Sequence, residues 1–439
     1  MSVFICLCER QSLQATNQAI QRSSQVGSRW SHRLQKGLPI VLVLFVSLLG
    51  HSALAEEPVI QDVPRPQPEE PIPPESNPLE LTEPDPLLPE LVVDRPLSPQ
   101  ERRVLSTALD ELNTQAQTEF ESGNIPEALD IWNRELRLRR FLGPDEEVKS
   151  LSRVGEVAWR ENQITEVRVI TQRLQQIQQE AEAQSPTNYD LLMQIAQAYQ
   201  TLRAKDQGVA LYEKLLVQAQ QEQNVDQQKQ ILAALGEMNI AWFDYPGAAS
   251  AYERLLALAE SQGDSETEIE ALRQLSQIYQ DSNQLEPAIA AQQRLVDLYQ
   301  DRQMFAEISA LKQAIGDEYL ALGRPELAAT SYQEAFAIAR SSQQYAYAAD
   351  ALQRLANLYI SLERLPDALV VYELLLDVKQ QAYDTLGTMN TYDQIGQIHR
   401  ALGNSDQAIE AFRQALQIAQ QLDYKVSYFT TQIQELGGQ

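Results

Sequence analysis

The chain has 439 residues and a net charge of −26, from 35 Lys and Arg against 61 Asp and Glu, with only two Cys and three His. So acidic a surface repels nucleic acid and anionic headgroups and favours basic, neutral or cationic partners. Cys6 and Cys8 lie at the N-terminus and His399 is the only His beyond residue 51. The body of the chain therefore holds no thiolate metal site, no Cys nucleophile and no His-based triad, and no cofactor is expected.

Residues 1–55 read as an export signal. Arg22, Arg29, Arg33 and Lys36 precede an apolar run, Leu38 to Leu49, and then Ala53-Leu54-Ala55. A basic region, a short apolar region and a small-x-small site form the signal-peptide pattern, which places cleavage between Ala55 and Glu56. The run falls short of the roughly 20 residues that span a bilayer. The expected location is periplasmic or another extracytoplasmic space, peripheral to a membrane at most. The alternative is an uncleaved N-terminal helix that anchors the chain. The basic region is long, which leaves open a true start at Val26 or Leu34.

Residues 56–100 form an acidic, Pro-rich linker. From 56 to 99 there are 13 Pro, 11 acidic and two basic residues. Such a composition buries too little apolar surface to order itself, so this stretch is expected to be a disordered spacer.

From residue 101 to 420 the chain repeats about every 40 residues, eight times. One small residue marks each copy: Ala116, Gly155, Ala196, Gly236, Ser276, Gly316, Ala356 and Gly396. Apolar residues precede most anchors by four and by one, and Tyr199, Tyr279, Tyr319 and Tyr359 follow by three. Those offsets share one face of an α-helix, helix A of each unit. Twelve after the anchor comes a second small slot, with Ala128, Gly208, Ala248, Ala288, Ala328, Ala368 and Ala408. Four further on lie Trp132, Tyr212, Tyr252, Tyr332, Tyr372 and Phe412, marking helix B. Between the helices stand Gly123, Asn162, Asn283, Gly323 and Gly403, and Pro126, Pro246, Pro287, Pro325 and Pro366 open helix B. Residues 421–439 are expected to form a capping helix, with Val426, Phe429 and Ile433 at helical spacing, because a stack leaves an apolar face open at its last unit.

These residues resemble the tetratricopeptide repeat family, whose pattern is an apolar residue, Gly and Tyr on helix A, then Ala and an aromatic on helix B. Ile315-Gly316-Asp317-Glu318-Tyr319 followed by Ala328 and Tyr332 carries the match, as do Ile395-Gly396, Ala408 and Phe412. The unit is longer than the usual one and is similar to a 40-residue variety of exported bacterial proteins. The resemblance implies an all-α fold, a right-handed α-solenoid of about eight helix-turn-helix repeats whose A helices line a concave groove that takes an extended peptide.

The slot one after the anchor points into that groove. It reads Gln117, Glu156, Gln197, Glu237, Gln277, Asp317, Asn357 and Gln397, all amides or carboxylates. Amides pair with both the N–H and the C=O of an extended chain, so the column suits backbone recognition. The other reading is the wet face of each A helix in a Gln-rich sequence. Neighbouring groove slots carry Asp110, Asp190, Glu270, Asp350 and Asp393, with Lys149 and Arg273 as the main cations. Family members that clamp a C-terminal carboxylate use Lys, Asn and Arg there, so that activity is not implied. Arg134, Arg137, Arg139 and Arg140 form one basic cluster on helix B of the first repeat, expected to pair with Glu127, Glu135, Glu146 and Glu147. Trp159 is expected to be a packing residue, the alternative being an anchor that projects into the groove for a partner, and His399 is expected to be a partly buried packing residue.

No phosphate loop, nucleophile elbow or ligand cluster points to an enzyme. The leading expectation is a scaffold for protein or peptide partners that assists assembly of an envelope or photosynthetic membrane complex. The alternatives are a glycan- or cell-wall-binding solenoid and a carboxylate-based metal-delivery factor.

Overall fold

A computed structural model describes residues 77–80, 84–88, 96–184 and 188–437, all within the unit Pro71–Gln439. The export segment, the Ala55–Glu56 cleavage site and most of the linker lie outside the described residues. Among the described residues there are seventeen α-helices and no strand. Repeat one is α1 (Pro99–Glu121) and α2 (Ile125–Arg139), followed by a 3-10 turn at Arg140–Leu142. Repeat two is α3 (Pro144–Arg160) and α4 (Ile164–Glu182), and repeat three is α5 (Tyr189–Thr201) and α6 (Lys205–Gln221). Then come α7 (Val225–Ala241) and α8 (Tyr245–Gln262), α9 (Ser265–Asp281) and α10 (Leu285–Asp301), and α11 (Phe305–Ala321) and α12 (Pro325–Ser341). The last pairs are α13 (Tyr345–Ser361) with α14 (Leu365–Gln381) and α15 (Thr385–Ala401) with α16 (Ser405–Leu422), closed by α17 (Val426–Glu435). Each helix packs on the next, and every substantial contact joins elements no more than two positions apart. That is the contact pattern of a solenoid.

The helix pairs are held by an aromatic ring over a small residue. Tyr252 covers Gly236, Tyr332 covers Gly316 and Phe412 covers Gly396, and a methyl group on any of these glycines would overlap the ring. The rings are buried, as are Ala248, Ala328 and Ala408 four residues earlier, each 0% exposed. Burial pushes the Tyr252 hydroxyl up to about 12. Each such ring contributes about 2–3 kcal/mol by leaving water.

Tight turns set the spacing. Arg203, Phe243, Asn283, Gly323, Glu363 and Gly403, the second-last residues of the A-to-B turns in repeats three to eight, all have φ between 56° and 77°. This left-handed residue lets the chain cap the helix it leaves: the Arg324 N–H donates to Tyr319 O at 2.8 Å and the Gly323 N–H to Leu320 O at 2.9 Å. Helix starts are capped where the sequence supplies Asp. Asp264 Oδ1 accepts from the Thr267 N–H at 3.2 Å while Lys229 holds its other oxygen, and this lysine is the main reason its carboxyl sits well below the usual range. Of the prolines, Pro325 opens its helix, Pro126, Pro246 and Pro366 stand second, and Pro287 stands third.

The C-terminal helix α17 buries Phe429 and Ile433 in one cluster with Met389, Phe412, Ala415 and Ala419 of repeat eight. The acidic linker departs from a uniform spacer. Residues 77–80 and 84–88 lie against repeat one: Leu79 is 2% exposed and joins the cluster that holds Trp132 and Leu136. Leu87 and Leu88 pack on a cluster of Leu105, Leu109 and Leu138. The basic cluster of α2 explains why. Arg134 forms a two-pronged pair with Asp85 at 2.8 and 3.0 Å, Arg137 donates to Pro78 O, and Arg140 donates to Leu79 O. Only Arg139 keeps expected partners, Glu135 at 3.0 Å and Glu146 at 3.9 Å, and it adds Asp110 at 2.6 Å. Glu147 pairs instead with Arg173 at 2.6 Å. A short turn with uncapped carbonyls is a better partner for guanidinium donors than glutamates already on a solvated helix face.

Two outcomes follow from this packing. Ala328→Glu should lower the denaturant midpoint strongly, because overpacking of about 1–3 kcal/mol adds to the desolvation of an unpaired carboxylate; an unchanged midpoint would contradict the crossing. Leu79→Ser combined with Asp85→Ala should remove about 2 kcal/mol of burial together with the ion pair. Limited proteolysis should then cut within residues 77–88 faster, while fragments from repeats three to eight stay as resistant as before. Cutting at the original rate would show that this turn is not seated on α2.

Candidate functional site

The polar column one residue after each anchor is presented along the A helices. Gln117, Glu156, Gln197, Glu237, Gln277, Asp317 and Asn357 are exposed and Gln397 is half-buried. Their helices hold them at equivalent positions because each A helix buries its anchor face against helix B. The previous residue in each copy from repeat two onward, such as Val154, Leu235 or Ile395, is buried. The column is chemically uneven. Among the described residues, the side chains of Glu156, Gln197 and Glu237 have no hydrogen-bond partner. Gln117 and Gln277 donate to Glu121 and Asp281 one turn on, at 3.0 and 2.7 Å.

Two members are occupied. Asp317 accepts from the Tyr332 hydroxyl at 2.6 Å and pairs with Arg354, tying it to the core of its repeat. That carboxylate and burial together raise the Tyr332 hydroxyl, burial being the larger cause. Gln397 donates to Tyr428 at 2.9 Å and stays close to Asp393 at 3.3 Å, so α17 lies over the end of the column. Neither engagement follows from the repeat pattern, because Tyr332 and Arg354 sit outside the helix that carries Asp317, and Tyr428 outside the one that carries Gln397.

The flanking cations are few. Arg273 is half exposed, with its Nε on the Tyr299 hydroxyl at 2.7 Å and Glu270 at 3.9 Å. Lys149 pairs with Glu146 at 3.1 Å. Trp159 is 48% exposed, which removes it from the packing role expected of it. His399 is half-buried in the slot that holds Tyr in other repeats. The groove acids Asp110, Asp190, Glu270, Asp350 and Asp393 are spread over five helices. Among the described residues no group of three or more His, Cys, Asp or Glu is placed to hold a metal ion. No described helix is long and apolar enough to cross a membrane.

Sequence reasoning missed a cluster between repeats five and six, where Gln292 bonds both Ser276 and Glu318; Ser276 and Gln292 also line a cavity. Its signal was present as breaks in the repeat: Gln292 takes an aromatic slot, and Glu318 takes a slot that is apolar in the other copies from repeat two onward.

Comparison with known proteins agrees with this architecture. Tetratricopeptide repeat family models match residues 310–342 and 347–421. No curated protein matches the sequence. Similar solved structures include BtubC from P. vanneervenii, at 17% identity over 50% of this chain and 92% of that one, with a TM-score of 0.33. A Signal Transduction ATPase with Numerous Domains protein with a tetratricopeptide repeat sensor, from Pyrococcus horikoshii, is 15% identical over 79% of this chain, with a TM-score of 0.37. The match spans 51% of that protein. The apo form of RapI is 10% identical over 72% of this chain and 98% of its own, with a TM-score of 0.36. Residues 310–342 and 347–421 are tetratricopeptide repeats, and the helix pairs before them are built to the same plan.

Proposed function

We propose that this protein is an exported scaffold that holds an extended segment of a partner protein along its A helices and aids assembly of an envelope or photosynthetic membrane complex. A tetratricopeptide repeat solenoid is a protein-interaction scaffold in general terms. The observation that supports the finer reading is the exposed column from Glu156 to Gln277, which packing does not require. Its amides and carboxylates offer acceptors to backbone N–H groups of an extended strand, one per repeat, and its glutamines also donate to backbone carbonyls. The acidic balance favours a neutral or basic partner. The export part rests on the N-terminal sequence alone.

The test replaces Gln197, Glu237, Gln277 and Asn357 together by Ala. Asp317 is left in place because its bond to Tyr332 would confound the result. All four are exposed, and Ala is the best helix former, so helicity and melting should hold. Affinity for the partner recovered from an envelope fraction should fall by roughly tenfold, about 1.4 kcal/mol. The control changes Gln220, Gln293, Gln333 and Gln380 of the B helices, also exposed, to Ala. Equal weakening in the control, or normal binding by the column variant, would reject the A-helix surface. Recovery of the protein from the cytosol alone would reject export.

A further inference from the structure

Among the described residues, two buried carboxyls face amides and no cation. Glu166 of α4 accepts from Asn133 Nδ2 of α2 at 3.2 Å. Glu318 of α11 accepts from Gln292 Nε2 of α10 at 2.7 Å and from Gln280 Nε2 of α9 at 2.6 Å. Each contact ties one repeat to the next, one to two and five to six. Glu166 is 7% exposed and Glu318 6%, while their amides, Asn133 and Gln292, are 5% and 1% exposed.

The two couples share one defect. In each, the second carboxyl oxygen and the amide oxygen are both buried without a hydrogen-bond partner: Glu166 Oε1 with Asn133 Oδ1, and Glu318 Oε2 with Gln292 Oε1. Burying an acceptor without a donor is costly. Turning an amide over would set its oxygen against the carboxylate and strand its N–H₂ instead. The charges nearby add to the cost. Asp130 of α2 is the one that acts on Glu166, and neither α3 nor α5, which also pack on α4, brings a charge that shifts it. Asp317 acts on Glu318 from the same helix, and Arg354 of α13 is spent on Asp317. Helices α9 and α10 present only the neutral Gln280, Ser276 and Gln292, and α12 brings no charge that shifts Glu318.

One proton mends each couple. An un-ionised carboxyl carries an O–H donor, so an acid and a primary amide can close a two-pronged ring. The amide N–H meets one carboxyl oxygen and the acid O–H meets the amide oxygen. The first bond is present in both couples, and the second needs the two atoms left over. Each leftover oxygen shares its carbon with an atom already in contact. The terminal torsions of Asn, Gln and Glu are soft, so closing the ring requires no movement of a helix.

We propose that Glu166 and Glu318 are neutral acids in the folded chain, each closing a pH-sensitive joint between adjacent repeats that loosens when its proton leaves. Burial is the main cause that raises both carboxyls above the ordinary Glu range; the amide bonds oppose it, and Asp130 or Asp317 adds to it. The folded chain therefore keeps protons that the unfolded chain has released. The joints stabilise fully below the ordinary Glu value, and that contribution is lost as pH rises through the raised one. An ionised joint holds its acceptors in a buried site with no cation to receive them. The solenoid is thus stiffest at mildly acidic pH and gains play at these two junctions above it.

The test uses the full chain. Infrared spectra at about pH 5.5, where exposed Asp and Glu are ionised, should show the carbonyl band of an un-ionised carboxyl, and the band should fade as pH is raised. It is read first on the unaltered chain, so its absence decides against the joints whatever a variant does. Glu166→Gln combined with Glu318→Gln keeps the shape and both ring bonds, because a primary amide imitates the neutral acid. That variant should lose the band, melt level with the unaltered chain at acidic pH and melt above it at alkaline pH. Hydrogen exchange compared at equal alkaline pH should be faster in the unaltered chain within residues 125–182 and 265–321, and alike in repeats three, seven and eight. A band that survives in the variant, a variant that melts lower at every pH, or a difference in melting that pH does not change would each overturn the proposal.

Discussion

The fold depends on one contact made in repeats four, six and eight: a ring of helix B lying on a glycine of helix A. A ring over Gly316 or Gly396 leaves no room for a methyl group. It brings the helix axes close, and the buried alanine one turn earlier, Ala328 or Ala408, keeps the crossing tight. Everything else is spaced by it. A turn with one left-handed residue is the shortest connection that returns helix B onto its partner, and the same geometry recurs at Asn283, Gly323, Glu363 and Gly403. Where a residue with a side chain occupies that position, it carries a backbone cost of about 1–2 kcal/mol that the crossing must exceed. The repeat therefore tolerates Phe243 or Glu363 in a place that glycine fits better.

Because contacts reach only one or two elements along the chain, each end must be closed by something outside the repeat. At the C-terminus this is α17, which places Phe429 and Ile433 where a ninth A helix would sit. At the N-terminus, part of the acidic linker takes on the work. Leu79 fills the first repeat from outside, and the arginines of α2 bind the carbonyls and the carboxylate of the turn that carries it. The Arg134 guanidinium holds the Asp85 carboxyl below its usual range, so this clamp is in full force above the ordinary carboxylate pKa and is lost as pH falls through the lowered one.

The helices and their pairing were legible because they repeat. Eight small anchors at one spacing define a face, and a face shared by eight copies is read more securely than any single motif. What was not legible is what happens once. Leu79 and Asp85 lie in a stretch whose composition argues for disorder, and composition is blind to a single leucine meeting a ready-made pocket. Trp159 is half exposed, as is Leu320 at the same slot of repeat six, because that slot lies at the edge of the buried face and is nowhere fully covered. The pairing of Gln292 with Glu318 crosses from one repeat to the next. Each departure could be seen in the sequence, but their contact depends on lateral register.

The polar column was legible as a pattern, whereas its capacity to bind was not. One offset places eight side chains on one surface, but hydrogen bonding divides them. Asp317 is committed to Tyr332 and Arg354, and Gln397 to Tyr428, so a ligand there would have to displace bonds already made. Glu156, Gln197 and Glu237 make no such bonds, and Gln277 has only an exposed partner one turn away. Exchanging water for a ligand costs least where the protein holds no competing partner. The accessible part of the column therefore runs from repeat one to repeat five, is interrupted at repeat six by the bonds of Asp317, and resumes at Asn357, whose only partner among the described residues is Gln353 one turn before it.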